Sequence, residues 1–329
     1  MTVLIVGSPH DRTIVHTVRS ARHQGVAFLF FDLVEFLRSG TYRWDSLARC
    51  GRLSTGTLTV DLPDPRITGI YARLLDVVGG FGAPDRAAAS ARLRALTEIL
   101  STVDALVVNR PGTDLSNWAK TYHLGLLARC GFRVPASLLT NDAEEARAFL
   151  RARPRAVYKG ASGEKTVASA FDPAQADRLG LLPHSPVLFQ ERVPGADVRT
   201  HLAGTEHVSE RIDCDGVNYQ YCRDGKTFTP TRLPDDVAEH CLAYQALSGL
   251  SFIGFDFMVG DDGSYTVLEA NPMPGYDGYD RRLDLRVSRA LFTLLRATAP
   301  GKTTARPRTP ARDARKGRQP LSSGDGRPP

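Results

Sequence analysis

The sequence predicts an α/β protein made of three parts, and each part has its own signature. The chain opens with a buried strand at 2–6, a helix at about 11–24 and a second buried strand at 26–31. This β-α-β unit implies a parallel sheet. A loop of small residues at 160–165 lies between two predicted strands. Near the C-terminus, two alternating strands flank Gly260-Asp261-Asp262-Gly263 and predict an antiparallel hairpin.

The N-terminal part continues with a strand at 67–74, an Ala-rich helix at 85–100 and a strand at 105–109. It lacks the G-x-G-x-x-G pattern of dinucleotide-binding domains. Arg73 and Arg110 fall near strand ends, where the ligands of open α/β sheets collect. A surface ion pair is the alternative interpretation for each arginine.

The rest of the chain divides near residue 187. Before it we predict a helix at 116–129 that ends at Gly131, a strand at 134–140, a helix at 142–152 with Asn141 and Glu144 as its capping box, and strands at 156–159 and 166–170. After it the pattern becomes antiparallel. We predict strands at 187–190, 198–202 and 207–212, a helix at 235–248 ended by Gly249, the hairpin, and a final helix at 281–297.

Composition favours a cytoplasmic globular protein. The chain has 329 residues, of which 42% are hydrophobic, and no run approaches the ~20 apolar residues of a membrane span. The N-terminus shows no export signal. Five scattered cysteines without a C-x-x-C pair favour reduced thiols over disulfides or zinc. We therefore expect no membrane partner.

The net charge of +6 comes from the C-terminal tail. Residues 301–329 hold eight Lys or Arg and two Asp, which leaves residues 1–300 formally neutral. With five prolines and no aromatic residue, this tail is expected to be disordered and basic. A solubilising role is favoured over an electrostatic tether, and a nucleic-acid partner is disfavoured because aromatic side chains that could stack on bases are absent.

The C-terminal hairpin carries a predicted metal site. If the hairpin closes around Asp261-Asp262, Asp256 lies opposite Val267, and one face holds Asp256, Val267, Glu269 and Asn271. Asp256 and Glu269 are then diagonal neighbours, roughly 7–8 Å apart. Two carboxylates and an amide oxygen suit Mg²⁺, with Mn²⁺ as the alternative ion. A plain solvated face is the competing interpretation. The opposite face is apolar and consists of Ile253, Phe255, Phe257, Leu268 and Ala270.

Lysine is scarce, with four in the first 300 residues, so the retained positions draw attention. Lys159 immediately precedes the small-residue loop, whose backbone N–H groups, at Ser162 and Gly163 for example, could cover phosphate oxygens. The loop is not a P-loop, because Glu164 intervenes and a strand follows. An ordinary turn is the alternative. Lys120 lies on the helix at 116–129, where a solvated position is the alternative.

Two further segments carry candidate binding residues. The strand that ends at Gln190 and Glu191 runs into a Pro-Gly bend, and backbone groups after such a strand can hydrogen-bond an adenine edge. Asp197 and Arg199 share a face by alternation, and Arg199 could hold a phosphate or acyl-phosphate. Glu210 and Arg211 place charges on the next strand.

Taken in order, these motifs resemble the ATP-grasp superfamily over about residues 1–298. Within it they are similar to RimK-type ligases and to the enzymes that crosslink microviridin-type peptides. The resemblance rests on the following ordered segments: Val108-Asn109-Arg110-Pro111, Cys130-Gly131-Phe132-Arg133-Val134-Pro135, Val157-Tyr158-Lys159, Phe189-Gln190-Glu191, Asp197-Val198-Arg199, Gly254-Phe255-Asp256 and Leu268-Glu269-Ala270-Asn271-Pro272. One departure is that residues 216–223 lack the Arg-x-Asn segment of RimK-type enzymes.

The resemblance implies a fold and a domain plan. We expect an ATP-grasp fold with a Rossmann-like pre-ATP-grasp domain at 1–114, a small α+β lid at 115–186, an antiparallel core with the metal site at 187–300, and the tail. The resemblance also implies a role for each candidate. The phosphates of ATP would be contacted by Lys120 and Lys159. The adenine would be surrounded by Gln190, Glu191 and the Val193 backbone, and the ribose reached by Glu191 or Asp197. The metal would be held by Asp256, Glu269 and Asn271, and the acyl-phosphate would face Arg199 and Arg211.

The implied reaction is an ATP- and magnesium-dependent ligation of a carboxylate to an amine or a hydroxyl through an acyl-phosphate. The carboxylate substrate would be an amino acid, a peptide or a small protein. An ATP-grasp kinase with a stable phosphorylated product is one alternative, and a nucleotide-binding scaffold without turnover is another. The substrate and the oligomeric state, including a homo-oligomer, stay open.

Overall fold

The computed structural model describes residues 1–113, 119–160, 168–214 and 225–297. The predicted contacts of Ser162 and Gly163, the segment 216–223 and the tail 301–329 lie outside these ranges. The N-terminal part contains, in order, β1 (Thr2–Gly7), α1 (Arg12–His23), β2 (Phe28–Asp32), α2 (Leu33–Ser39), β3 (Thr41–Asp45), β4 (Cys50–Ser54), β5 (Thr59–Leu62), β6 (Ile67–Arg73), α3 (Ala83–Thr102) and β7 (Val107–Val108).

The predicted parallel sheet is confirmed. Its strand order is β2-β1-β6-β7, and each neighbouring pair runs parallel. Each side of the central strand β1 is buried: Leu4 and Val6 pack in one apolar cluster, and Val3 and Ile5 pack in another. α1 follows β1 after a short loop in which the Asp11 carboxylate accepts a hydrogen bond from Thr13 N at 3.0 Å. This side-chain cap satisfies a backbone donor at the start of the helix.

The sequence interpretation missed α2 and the antiparallel sheet β3-β4-β5. α2 begins at the residue after β2, and Asp32 ends the strand and caps the helix by accepting from Val34 N and Glu35 N. No loop therefore marks the boundary. The strands β3 to β5 are short and largely exposed, so they show little apolar alternation.

The middle part contains α4 (Lys120–Arg129), β8 (Ser137–Thr140), α5 (Ala143–Ala152), β9 (Ala156–Gly160), β10 (Ser169–Ala170), a 3-10 segment (Pro173–His184) and β11 (Val187–Glu191). Its antiparallel sheet has the order β10-β9-β11-β8 and is called the lid sheet below. The N-cap of α5 is Asp142, which accepts from Glu144 N at 2.7 Å and Glu145 N at 3.3 Å. The capping residue predicted at Asn141 is therefore wrong by one position.

The lid sheet extends past the boundary expected at residue 187. β11 pairs with β8 and β9, so this strand belongs to the lid sheet and not to the C-terminal core. Conversely, Leu127 of α4 and Phe132 pack in the apolar cluster of the C-terminal sheet. Local residue patterns do not predict either assignment. The sheet to which a strand belongs depends on hydrogen-bond partners that are distant in the chain.

The C-terminal part contains β12 (Ala196–Ala203), β13 (Glu206–Asp213), β14 (Thr227–Thr231), α6 (Asp235–Ser248), β15 (Phe252–Val259), β16 (Tyr265–Asn271), α7 (Asp277–Arg282) and α8 (Arg286–Arg296). Its antiparallel sheet has the order β14-β13-β12-β15-β16. One face packs on α6 through Phe255, Phe257 and Tyr244. α6 ends at Gly249, whose φ of 72° is the left-handed conformation that the sequence predicted for a C-terminal glycine.

The final helix predicted at 281–297 is two helices. Asp284 and Leu285 have φ values of 50° and 57°, and this left-handed pair separates α7 from α8. The Asp280 carboxylate accepts from Ser288 N at 2.9 Å and holds the break. α8 then packs Leu291 against the N-terminal sheet. The C-terminal end of the described chain thus returns to the first domain.

Asn109 joins the first domain to the C-terminal sheet. Its Nδ2 donates to the carbonyl oxygens of Phe252 at 2.6 Å and Pro272 at 2.5 Å. Its Oδ1 accepts from Ser251 N at 2.8 Å and Phe252 N at 2.9 Å. One side chain therefore fixes the beginning of β15 and the end of β16.

The two arginines singled out near strand ends have different surroundings. Buried Arg73 forms an ion pair with Asp11 and donates from Nη1 to the Met273 carbonyl at 2.7 Å. It therefore holds the loop after β16 against the first domain. Arg110 donates instead to the carbonyls of Leu100, Val103 and Ala105 at the end of α3. Its contacts are those of a helix C-cap.

Candidate active site

The register of the β15–β16 hairpin differs from the prediction. Gly260 N donates to Ser264 O at 3.0 Å, and Gly263 in the loop has φ 78°. The loop therefore holds three residues, a length for which a left-handed last residue is typical. A bulge then shifts the ladder, so that Asp256 lies directly opposite Glu269. The predicted pairing of Asp256 with Val267 is wrong.

The three-residue loop and the bulge together change which residues share a face. Val267, expected on the polar face, pairs with Phe257 and is fully buried in the apolar cluster. Leu268, expected on the apolar face, is the extra residue of the bulge and is partly exposed. Asp256 and Glu269 still share the polar face, and Asn271, opposite Gly254, lies on it too. The set predicted to hold a metal is thus brought together.

Four charged residues form a row across the polar face of the C-terminal sheet. Each lies directly opposite the next on adjacent strands, in the order Glu210, Arg199, Asp256, Glu269. We call this set the charge row. Arg199 Nη1 donates to Asp256 Oδ2 at 2.6 Å, and only 7% of the Arg199 side chain is exposed. The row places a buried cation beside two carboxylates.

Arg211 lies on the other face of the sheet, contrary to the expectation that it brackets one group together with Arg199. Its partner across the ladder is Val198, whereas the partner of Arg199 is Glu210. The two-residue loop Gly204-Thr205 between β12 and β13 sets this register. Arg211 forms an ion pair with Asp213 at 2.9 Å, and 43% of its side chain is exposed.

Besides Asp256, the neighbours of Arg199 include Gly254, His201 and Tyr279. Its guanidinium group lies against the Cα of Gly254, where any Cβ would overlap Nη2. Arg199 Nε lies 3.5 Å from His201 Nε2. Burial and the Arg199 charge lower the pKa of His201 well below its ordinary value, so this buried imidazole is neutral. Arg199 Cζ also lies 6.0 Å from the centroid of the Tyr279 ring.

Lys159 lies near the end of β9 in the lid sheet and within electrostatic reach of Glu269 in the charge row. Its Nζ is 3.5 Å from Gln190 Oε1, and Gln190 Nε2 donates to Ser137 Oγ at 3.0 Å. Burial and the nearby charge of Lys120 lower the pKa of Lys159, whereas Glu269 acts in the opposite direction. Lys120, Lys159 and Glu269 are therefore electrostatic neighbours. Two cations so placed favour an anion between them.

His123 is a site neighbour that the sequence analysis missed. It lies on α4, and its Nε2 accepts from Ala270 N at 3.1 Å, between the candidate ligands Glu269 and Asn271. Burial, with the charges of Lys120 and Lys159, lowers its pKa to about 4. The neutral ring thus holds the β16 backbone. A histidine within an apolar helix carries no motif that could have indicated this contact.

The remaining candidates lie where the lid sheet meets the C-terminal sheet. The Glu191 carboxylate accepts from Ala136 N at 3.3 Å, and half-buried Val193 follows the end of β11. Asp197 lies two residues before Arg199 on β12, and its side chain is therefore on the same face of the sheet. Burial, and then the charge of Asp256, raises the pKa of Asp197 to about 7. The chain segment that runs from β11 of the lid sheet to β12 of the C-terminal sheet therefore carries Gln190, Glu191, Val193 and Asp197.

The oxygen ligands of the candidate metal site fit a hard cation that takes its remaining ligands from water and phosphate. Within the described residues, no three His, Cys, Asp or Glu side chains converge as a metal site. The candidate set holds two carboxylates and Asn271, whose Oδ1 accepts from Met273 N at 2.9 Å. Such a partial oxygen set suits Mg²⁺, which retains waters and binds phosphates. Lys120 and Lys159, two cations that interact with each other near Glu269, could bind a polyphosphate beside the same carboxylate.

A parallel first domain, a small antiparallel lid sheet and an antiparallel sheet with a charged face together form the ATP-grasp fold. Solved structures agree. PsnB, an ATP-grasp ligase complexed with a minimal precursor, is 25% identical, with a TM-score of 0.75 over 89% of this chain and 97% of that chain. A RiPP-associated ATP-grasp ligase from Chryseobacterium gregarium, in complex with ADP and a leader and core peptide, is 20% identical, with a TM-score of 0.76 over 91% and 97%.

Curated proteins also match. N-acetylaspartylglutamate synthase A from Mus musculus is 26% identical over 220 residues, which is 63% of this chain and 58% of that protein. The chain therefore spans little more than half the length of this relative. No family model matches the sequence. Across the described residues, the helices are too short or too polar to cross a membrane.

Proposed function

We propose that this protein is an ADP-forming ligase that uses ATP and a divalent cation to join a carboxylate to an amine or a hydroxyl. The observation that carries the proposal is the charge row, with Arg199 held between Asp256 and Glu210 and with Lys159 near the Glu269 end. The similarity to ATP-grasp ligases of known structure supports it.

Each residue has a task in this reaction. Lys120 and Lys159 bind the phosphates of ATP, and Asp256, Glu269 and Asn271 hold Mg²⁺, or Mn²⁺ in its place. The metal, when bound, offsets negative charge on the phosphates. Gln190, Glu191 and the Val193 backbone receive the adenine, and Asp197 or Glu191 the ribose. For Ser162 and Gly163 we keep the contact with phosphate as a proposal from sequence.

Arg199 faces the group that is transferred. A substrate carboxylate oxygen forms a bond to the γ-phosphorus while the bond to the ADP oxygen breaks, and ADP leaves with its electron pair. The amine or hydroxyl then attacks the acyl carbon and gives up a proton, and inorganic phosphate departs with the electron pair of the broken C–O bond. A buried, prepositioned guanidinium stabilises the charge that develops in the first step, without reorganising. Arg211 has no place in this step because it lies on the other face of the sheet.

The substrate that we propose is a peptide, with an amino acid as the simpler alternative. Support comes from the solved relatives, whose ligands include a minimal precursor and a leader and core peptide. The match with this chain covers 97% of each of those ligases, but 58% of the curated synthase. Precursor-like peptides are therefore the first substrates to try.

The test is a screen of acidic peptides and amino acids for magnesium-dependent ADP release in the presence of hydroxylamine. A ligase activates a carboxyl group, which hydroxylamine captures as a hydroxamate. Mass spectrometry of the reaction without hydroxylamine should show joined substrates that have lost one water. Glu269→Gln is the matched inactive variant. A stable phosphate ester without hydroxamate would overturn the proposal in favour of a kinase.

A further inference from the structure

The outer end of the charge row is occupied by an ion pair that the proposed reaction does not use. Glu210 is 1% exposed, and both of its oxygens accept hydrogen bonds from Arg282 of α7. Arg282 Nε lies 2.9 Å and 3.1 Å from the two oxygens, and Nη2 lies 2.6 Å from Oε2. This is a two-pronged pair between residues 72 positions apart. It closes the row on the side away from Lys159.

Arg282 is held rigidly, yet part of it is exposed. Its Cζ lies 3.8 Å from the centroid of the Phe228 ring, so the guanidinium group stacks on that ring. About a third of the side chain, 35%, is exposed. Nε and Nη2 form the edge bound to Glu210, and Nη1 hydrogen-bonds to none of the residues that the structure describes. A guanidinium group has five N–H donors, so a second edge is free to bind.

Arg282 and Arg199 share a neighbour. Arg282 Cζ lies 5.0 Å and Arg199 Cζ lies 6.0 Å from the centroid of the Tyr279 ring. Both cations therefore lie within 6.0 Å of the centre of one aromatic ring. Each has its own carboxylate partner, Asp256 for Arg199 and Glu210 for Arg282.

We propose that Arg282 is a specificity-determining residue that binds a second carboxylate of the substrate while Arg199 faces the reacting one. The preferred substrate is then an acidic peptide in which another acidic side chain lies close to the activated one. Glu210 and Phe228 fix the guanidinium group before the substrate arrives, so little side-chain entropy is lost on binding. The proposal rests on the proposed function for the identity of the reacting carboxylate.

Binding without turnover tests the proposal directly. The probes are three blocked dipeptides, Ac-Glu-Glu-NH2, Ac-Glu-Gln-NH2 and Ac-Gln-Glu-NH2, titrated calorimetrically into the full chain with ADP and Mg²⁺. Each glutamine replaces a carboxylate by a neutral group of the same shape. We expect the dicarboxylate probe to bind about tenfold more tightly than either other probe, which is the scale of one charge-assisted hydrogen bond.

Arg282→Gln should remove this preference, so that the three dissociation constants agree within about twofold. Arg281→Gln is the matched control, since Arg281 is the adjacent residue on α7 and pairs with Asp277 at 3.0 Å on the surface. It should keep the full preference. Arg282→Lys is a second variant that keeps a positive charge beside Glu210, so that its result does not depend on a misfolded protein. The single ammonium group of the lysine stays with Glu210 and leaves no second edge. The preference should therefore vanish in this variant too.

Three outcomes would overturn the proposal: a wild-type protein that binds the probes equally or not at all, an Arg282→Gln or Arg282→Lys protein that keeps the preference, and an Arg281→Gln protein that loses it. The proposed function is judged separately, by hydroxamate formation. A protein that shows the binding preference but forms no hydroxamate with any acid would retain this subsite and lose the ligase assignment.

Discussion

The guanidinium group of Arg199 lies across the Cα of Gly254, in space that a side chain at position 254 would fill. A Cβ there would overlap Nη2 and Cζ of Arg199 and approach Cβ of Pro274 at 2.7 Å. The absence of a side chain at Gly254 therefore allows Arg199 to reach Asp256 on the neighbouring strand. The glycine meets a steric requirement of the site rather than one of backbone conformation.

Gly254→Ala should displace Arg199 and lower the rate of ATP-dependent ligation by about tenfold or more, with a loss of about 1–3 kcal/mol in the free energy of unfolding from overpacking. Steady-state rates and urea unfolding measure the two effects. The control is Gly125→Ala on α4, where a Cβ meets nothing within 4 Å. An active Gly254→Ala enzyme with normal kinetics would show that the position of Arg199 is unimportant.

Asp256→Asn and Glu269→Gln should each abolish magnesium-dependent ADP release while the fold is retained. Each change keeps the shape of the side chain and removes a charge from a hard-cation site. Asp256→Asn also removes the charged partner of Arg199. Asp262→Asn, in the exposed hairpin loop, is the control. ADP release titrated with Mg²⁺ is the measurement, and near-normal turnover by both variants would remove the metal assignment.

Lys159→Ala should weaken nucleotide binding by about tenfold or more, because an ammonium group that contacts phosphate forms charge-assisted hydrogen bonds. Lys226→Ala should leave the affinity unchanged, since Lys226 lies just before β14, the edge strand at the opposite side of the C-terminal sheet from β16 and Glu269. Titration with a fluorescent ATP analogue gives both constants. Equal effects would mean that the phosphates lie elsewhere.

Arg199→Ala should lower kcat far more than it weakens ATP binding, because the charge of Arg199 matters most as the phosphoryl group moves. Arg211→Ala should change neither by more than about twofold, since its ion pair with Asp213 is half-exposed on the other face. The measurement is kcat and the nucleotide dissociation constant of both variants, each compared with the wild-type value. A rate defect in Arg211→Ala as large as that in Arg199→Ala would contradict the assignment of faces.

His123 should make the protein less stable in acid. Its pKa is about 4 in the folded chain and 6.5 in model peptides, so the unfolded chain takes up a proton first as the pH falls. The stabilisation by neutral His123 is thus present above pH 6.5 and is lost toward pH 4, by up to about 3 kcal/mol. The unfolding free energy of wild type should fall more between pH 7.5 and 4.5 than that of His123→Gln. Parallel pH profiles would exclude this role.

Local patterns in the sequence predicted much of the fold. The β-α-β opening, α3, α6 with its terminal Gly249 and the β15–β16 hairpin lie within a few residues of their expected bounds. Strong apolar periodicity and glycine signals marked these elements. α2 and β3 to β5 lacked such signals, and the predicted final helix was broken by the left-handed pair Asp284 and Leu285.

The candidate site, like the fold, was predicted only in part from the sequence. Asp256, Glu269, Asn271, Lys159 and Arg199 were selected from residue type and order, and the structure brings them together. Arg211 was selected as well, whereas its neighbour Glu210 occupies the charge row. The two-residue loop Gly204-Thr205 held the register signal that distinguishes them. Arg282 carried no signal, because its partner Glu210 is distant in the chain.

The sequence by itself determined the order of the strongly patterned elements, the neutral body with its basic tail and the residue types of the site. Only the tertiary structure decided which faces meet. A strand alternates its side chains, so a one-residue change in register moves every charge to the opposite side of the sheet. The three-residue hairpin loop is one such change and turns Val267 into the core, and the bulge at Leu268 is a second, which returns Glu269 to the face of Asp256 and directly opposite it. Loop geometry and packing between distant segments set these registers, and local residue patterns do not encode them.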